Sequence, residues 1–480
     1  MIEGSFVVGF DGVEHRLIRD GVVVYEDDTV IHVGKSYDSG VDETIDAKGK
    51  LVCPGFINIH ALTSICITHF RIDGVGTGGS PATRREMLDG LRHPRSYLKG
   101  EDLRTSAYYC FTELLKGGAT TIVEITAFGS TAFQPPIEQP ETFARVAREI
   151  GARAYISHPY TDAKAYHDEG GRQYHFDERA GRRALRDALE FCERYEGSSE
   201  DRIRTMLFPY MFDACSEGLL RETKREALER DIPIHMHASQ YLPEYYESLR
   251  RYGKTPVQFL HDIGFLGPKT ILTHVLYTSL NPVSPAPNTA LRDPRDIEYM
   301  ASTGTTLGHT PMVWGRVGIM LDSYAKYRDA GVNIAIGTDA HPMDMIMEMR
   351  HAAVLGKVAE RHRAAVTARD VFNAATLGGA KALGRDDLGR LAPGAKADIL
   401  VVDLTGLHVA LTHDPIKSLV YFCSQRDIDT VIVDGKKLVE GGRVPGLDEE
   451  ELAMQADEVN RWLVLGRGVK YPQSFRELEE

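Results

Sequence analysis

Ile232-Pro233-Ile234-His235-Met236-His237 is a short apolar run that stops on imidazoles. Three other runs stop in the same manner. Phe56-Ile57-Asn58-Ile59-His60 and Ile271-Leu272-Thr273-His274 end in imidazoles, and Ile336-Gly337-Thr338-Asp339 ends in a carboxylate. Side chains along a strand alternate between its faces, so Asn58 and His60 share one face, as do His235 and His237. Strand-like runs recur through the middle of the chain, at 51–59, 120–125, 152–157, 205–208, 232–237, 270–274, 304–308 and 332–337. Charged, helix-like stretches such as 103–116, 140–150, 179–194 and 216–230 separate most of them. Eight strands alternating with helices predict an α/β fold, a closed (β/α)8 barrel over residues 56–391. An open doubly wound sheet is the rival. No GxGxxG follows the first strand, which removes the usual reason for a dinucleotide fold. The glycine-rich stretch 74–79 lacks a following Lys-Ser/Thr and reads as a loop.

The 480 residues carry a net charge of −13. That balance argues against sequence-independent nucleic-acid binding and against a basic membrane face. No apolar run is long enough to span a bilayer, and the first residues show no basic, apolar leader. The six cysteines form no CxxC pair, so neither a disulfide scaffold nor a zinc finger is expected. A cytoplasmic protein is the expectation.

Barrel active sites lie at the C-terminal ends of the strands. Imidazoles His60, His237 and His274, converging there with the Asp339 carboxylate, offer what a borderline-soft divalent metal needs. Any one of these histidines alone reads better as a structural residue. Four strand ends in order, all with ligand chemistry, make the set a candidate metal centre. His309, at the end of the seventh candidate strand, is a further candidate, or else a loop histidine bonded to backbone.

The chain resembles the amidohydrolase superfamily, in its cytosine-deaminase and triazine-hydrolase branch. The resemblance rests on Pro54-Gly55-Phe56-Ile57-Asn58-Ile59-His60, on His237 and His274, and on Gly337-Thr338-Asp339. It is strongest in Gly389-Arg390-Leu391-Ala392-Pro393-Gly394-Ala395-Lys396-Ala397-Asp398-Ile399, followed by Asp414-Pro415-Ile416 and Val431-Ile432-Val433-Asp434-Gly435. It implies that residues 1–55 and 392–480 form one composite β-sandwich domain beside a catalytic barrel at 56–391. It also implies a homo-oligomer, dimer or larger.

Two departures from the family pattern bear on function. The usual His-x-His of the first strand is reduced to His60, with Leu62 in the second place. Asn58-x-His60 then resembles the phenylurea hydrolases and molinate hydrolase, with Asn58 as a neutral ligand; the other reading of Asn58 is a residue that bonds backbone. Gln240 stands where deaminases of this branch carry a glutamate. A glutamine cannot protonate a ring nitrogen. Both departures favour hydrolysis of an acyl C–N bond in a urea, carbamate, thiocarbamate or amide, as in herbicide degradation. The alternative is deamination or dechlorination of an aminated N-heterocycle such as a triazine. A non-catalytic binding role on the same scaffold is disfavoured by the retained His60, His237, His274 and Asp339.

The expected centre is one divalent metal per subunit held by Asn58, His60, His237 and Asp339, with His274 a further ligand or a close neighbour. Zinc is the default, with cobalt, manganese or iron as alternatives. Asp339 serves as general base to a metal-acidified water, His274 or His309 polarises the substrate carbonyl, and Gln240 orients substrate. Phe70, Tyr160, Tyr241, Met312 and Trp314 are expected near the pocket, under a lid around 70–97.

Overall fold

A computed structural model of the chain describes residues 1–63, 65–68, 82–94, 98–125, 132–281 and 294–466. Phe70, the glycine-rich loop 74–79 and most of the expected lid lie outside the described residues. The strands are Ile2–Phe10 (β1), His15–Glu26 (β2), Thr29–Gly34 (β3), Ile45–Pro54 (β4), Phe56–Ala61 (β5), Ala119–Glu124 (β6), Arg153–Ile156 (β7), Ala163–Asp168 (β8), Gly171–Phe176 (β9), Ile203–Thr205 (β10), Ile234–Ala238 (β11), Thr270–His274 (β12), Thr306–His309 (β13), Asn333–Ile336 (β14), Ile399–Asp403 (β15), Ile428–Val433 (β16) and Lys436–Val439 (β17).

Six of the eight expected strands of the middle are present near their expected bounds, and the first spans the end of β4 and most of β5. The fourth, expected at 205–208, is β10, which shares only Thr205 with it; helices lie between the eight. β5, β6, β7, β11, β12 and β13 are buried at every residue. Burial on both faces explains why they read as near-continuous apolar runs rather than as alternation. They pair in parallel as two sheets of four, β10-β7-β6-β5 and β11-β12-β13-β14. The expected single ladder is thus two ladders whose edges meet through short parallel bridges, Leu207 with Ile234 and Ala61 with Asp339. At the second seam the Asp339 N–H donates to the His60 carbonyl (2.9 Å), and the Leu62 N–H donates to the Asp339 carbonyl (3.0 Å). Asp339 has φ 59, a left-handed conformation that ends regular pairing there. The approach is close enough that a Cβ on Gly337 would lie 2.7 Å from the His60 nitrogen, so only glycine fits.

The chain ends meet in one seven-stranded sheet, β17-β16-β15-β4-β1-β2-β3. The strands of the expected composite β-sandwich of residues 1–55 and 392–480 are thus all hydrogen-bonded in one sheet, which curls on itself. The edge strand β3 bonds the segment feeding β15, through Val30 N–H to Ala395 O (2.8 Å) and Ala397 N–H to Asp28 O (2.7 Å). Curling lets Val7, Val23, Val30, Val52, Ile399 and Ile432 share a core of their own. Helix Glu449–Gly466 departs from this sheet and packs on helix Gly100–Lys116, with Lys116 and Glu449 paired at 2.5 Å.

The hairpin β8–β9 was not anticipated, although Gly170-Gly171 between Tyr166 and Tyr174 is a hairpin signal. It supports the described part of the lid segment, where the His167 N–H donates to the Ala82 carbonyl at 2.8 Å. Helix Arg84–Arg92 follows, capped by Thr83 and Glu86.

Two side-chain contacts, among others, tie the curled sheet to the strands and helices of the middle of the chain. Arg153, fully buried at the start of β7, donates to Asp398 (3.1 Å) and to Asp434. Burial raises the Asp434 carboxyl, and the Arg153 charge opposes that rise. His15 of β2 places Nε2 3.1 Å from Thr376 Oγ1 and its ring edge-on to Phe372. Burial, then the Arg390 charge, lowers His15 from 6.5 to about 4.

Arg153→Met leaves two buried carboxylates without their cation and should cost about 3–5 kcal/mol, read from denaturant unfolding. An unchanged midpoint would show that the pair is dispensable. For His15 the unfolded chain takes up the proton first as pH falls. Its contribution is therefore complete above pH 6.5 and lost between 6.5 and about 4. His15→Phe should flatten the fall in stability across that window; an identical slope in the variant would sink the assignment.

Candidate metal centre

Among the described residues, His60, His237 and His274 form the one group of His, Cys, Asp or Glu side chains whose ligand atoms all lie within 4.8 Å of one another. They come from the C-terminal ends of β5, β11 and β12. Asp339 stands beside them at the end of β14, with Oδ2 3.5 Å from His60 Nε2 and 3.7 Å from His274 Nε2. Four of the residues singled out in the sequence thus converge.

The rings are held by their far nitrogens. His60 Nδ1 lies 3.1 Å from His235 Nε2, which is itself 2.9 Å from Thr273 Oγ1. His237 Nδ1 donates to the Tyr210 carbonyl at 2.7 Å, leaving the Nε2 lone pair free. His274 Nδ1 is approached by Thr310 Oγ1 (3.0 Å) and by the Trp314 indole (2.8 Å). Burial, then the neighbouring His60 ring, holds His237 down at about 3, and the same causes push His235 and His274 well below 6.5. These three imidazoles are therefore neutral at pH 7, the form that binds a cation.

The residues fit a divalent metal. His60 Nε2 and His274 Nε2 are buried without a hydrogen-bond partner. Buried polar atoms without partners are costly, and converging imidazole nitrogens beside a carboxylate are the donor set of a zinc-type site. His274 and Asp339 also sit on left-handed backbone, φ 82 and 59, a strain typical of functional positions.

Asn58 is used otherwise than expected. Its amide oxygen accepts from the His60 and Thr338 N–H groups, both at 3.2 Å, and its amide nitrogen donates to Thr338 Oγ1 at 2.8 Å. Both lone pairs face N–H groups, which makes the side chain a splice between β5 and the end of β14.

Gln240 donates from Nε2 to the Tyr241 hydroxyl at 2.9 Å. The Ser239 and Gln240 N–H groups are held by Glu244 at 2.7 and 2.8 Å. Burial, then the nearby Asp213, pushes the Glu244 carboxyl up to about 8. His309 borders a pocket shared with His274, Trp314 and Tyr324, and burial lowers it to about 4. Tyr241 is 40% exposed and packs edge-on to Trp314. Tyr160 is not at the pocket: it is fully buried, its hydroxyl 2.9 Å from Thr223 Oγ1. Met312 does not line that pocket; its N–H donates to the buried Glu348 at 3.1 Å. The sequence reading missed the supporting roles of His235, Tyr210 and Glu244. His235 left a signal as a strand-end imidazole on the face of His237, and Glu244 as a carboxylate in the first turn of a helix; Tyr210, which acts through its carbonyl, left none.

The chain is 31% identical to a 5'-deoxyadenosine deaminase of Methanothermobacter thermautotrophicus, across 93% of this chain and 96% of that protein. It is 30% identical to a 5-methylthioadenosine/S-adenosylhomocysteine deaminase of Thermococcus onnurineus, across 92% and 93%. Its fold is similar to that of a zinc-bound adenosine deaminase from Xanthomonas campestris (TM-score 0.79, 21% identity, 98% of each chain). It is also similar to a glutamate-to-glutamine variant of atrazine chlorohydrolase from Arthrobacter aurescens with zinc and atraton (TM-score 0.80, 24% identity, 96% and 99%). These relatives and neighbours are deaminases and a chlorohydrolase. The two deaminase relatives do not support the phenylurea- or molinate-type specificity expected from Asn58 and Gln240, and they favour the N-heterocycle alternative. The model of the amidohydrolase family matches residues 51–438, so the chain belongs to that family and is a hydrolase acting on carbon–nitrogen bonds.

Proposed function

We propose that the chain is a hydrolytic deaminase or dechlorinase of an aminated N-heterocycle. The observation that carries the chemistry is the convergence of His60, His237 and His274 beside Asp339. The ring-type substrate is supported by deaminase relatives that span nearly the whole chain. We further read the two parallel sheets with their bridged seams as one (β/α)8 barrel over 56–391, and the curled sheet of 1–55 and 392–480 as a composite second domain.

A single divalent ion, with zinc the best fit to this donor set, would be held by His60, His237 and Asp339 and would supply a water acidified toward neutrality. Asp339 takes the proton of the attacking water and passes it to the leaving group, as its second oxygen allows. His274, 3.7 Å from Asp339, orients that water. Gln240 orients the substrate ring through its amide but has no acidic proton to give it. That absence favours rings electron-poor enough to accept water without prior protonation, so a triazine-like heterocycle is preferred over a purine.

The test is mass spectrometry of products from the zinc-loaded protein. The panel is an aminochlorotriazine, 5'-deoxyadenosine, 5'-methylthioadenosine and an N-aryl-N′,N′-dimethyl urea. A hydroxylated ring is expected, with the triazine turned over fastest and no product from Asp339→Asn. An aniline from the urea with every ring untouched would overturn the proposal. Asn58→Ala should lower stability by about 1–3 kcal/mol and leave zinc content unchanged, since two buried N–H groups lose their acceptor. A drop in bound zinc at unchanged stability would restore Asn58 as a ligand.

A further inference from the structure

Two of the imidazoles are stacked yet held in opposite ways. The His237 and His274 rings lie 5.3 Å apart at an interplanar angle of 16°. His237 Nδ1 faces a carbonyl, which only accepts, so its hydrogen sits on Nδ1. His274 Nδ1 faces the Trp314 indole N–H, which only donates. That nitrogen must hold a lone pair, and the hydrogen of a neutral ring then sits on Nε2. The Thr310 hydroxyl at 3.0 Å both donates and accepts, so alone it would leave the tautomer open.

We propose that Trp314 is a positioning residue that fixes His274 as an Nε2–H donor. A ring with hydrogen on Nε2 has no lone pair there for a cation. His274 is thereby kept out of the ligand set, although its geometry would admit it, and its N–H points into the site. Only the target of that N–H rests on the function proposed above.

The indole is itself held on several sides. Trp314 is 8% exposed, on the short helix Pro311–Gly315 that follows β13. The Met312 N–H of this helix donates to the fully buried Glu348. Tyr241 packs edge-on against the indole at 5.6 Å, and its hydroxyl accepts from Gln240. The residue in the place of the family's glutamate is thus one aromatic contact away from the group that sets the His274 tautomer.

The test is long-range proton–nitrogen NMR of the ¹⁵N-histidine-labelled protein, metal-free and zinc-loaded, with His274 assigned from His274→Gln. The wild-type ring is expected as Nε2–H in both states. Trp314→Phe keeps an aromatic ring but no donor, and should move His274 toward Nδ1–H, with Thr310 as acceptor. It should lower kcat at least about tenfold at similar KM. Thr310→Val, which spares the indole, should keep the Nε2–H form. An Nδ1–H wild-type ring overturns the proposal, and so does a Trp314→Phe protein with unchanged tautomer and kcat. The wild-type spectrum decides even if Trp314→Phe fails to fold. An Nε2–H ring in a protein that turns over no heterocycle sustains the proposal and sinks the substrate assignment instead.

Discussion

The backbone bonds between Asp339 and the first parallel strand are the constraint on which the centre depends. One residue both accepts from Leu62 and donates to the His60 carbonyl. The same clamp that joins the last parallel strand to the first sets the Asp339 carboxylate 3.5 Å from His60 Nε2. It needs Gly337 for the backbones to approach, and it needs Asp339 to leave the strand conformation. Asn58 reinforces it from beneath by tying the His60 and Thr338 N–H groups to one amide oxygen. Fold and chemistry share these few atoms, so neither can be altered there without the other.

Burial is the second determinant. Water is excluded from the imidazoles, so His235, His237 and His274 stay neutral, and one nitrogen of each ring is bonded by a neighbour. A carbonyl, a second imidazole and an indole divide those roles. In water the same rings would exchange tautomers freely. Within the protein the far-side partner decides which nitrogen faces the site.

Much of this was legible in the sequence because parallel strands buried on both faces write themselves as short apolar runs, and polar residues at their ends then stand out. His60, His237, His274 and Asp339 were found in that way. Asn58 was not, because an amide oxygen can serve a cation or two N–H groups, and only the register against residue 338 decides which. Tyr160 resembled a pocket residue by position, yet its hydroxyl meets Thr223 on a distant helix. The hairpin at 163–176 was masked by the expectation of a helix directly after each strand. Substrate class was the least legible. Gln240 reports on one proton, whereas a pocket is built from loops far apart in the chain, and the argument from a single amide gave way to the likeness along the whole chain.

The curled sheet interleaves the two ends of the polypeptide, with β4 lying between β1 and β15. During synthesis, β1 to β4 leave the ribosome long before β15 exists. One edge of β4 then stays open while the intervening strands and helices are made and packed. Until Asp398 and Asp434 arrive, Arg153 also waits without its counter-charges. A nascent chain stalled before residue 399 would therefore leave one edge of β4 without its partner strand, an open edge of the kind that pairs with other chains.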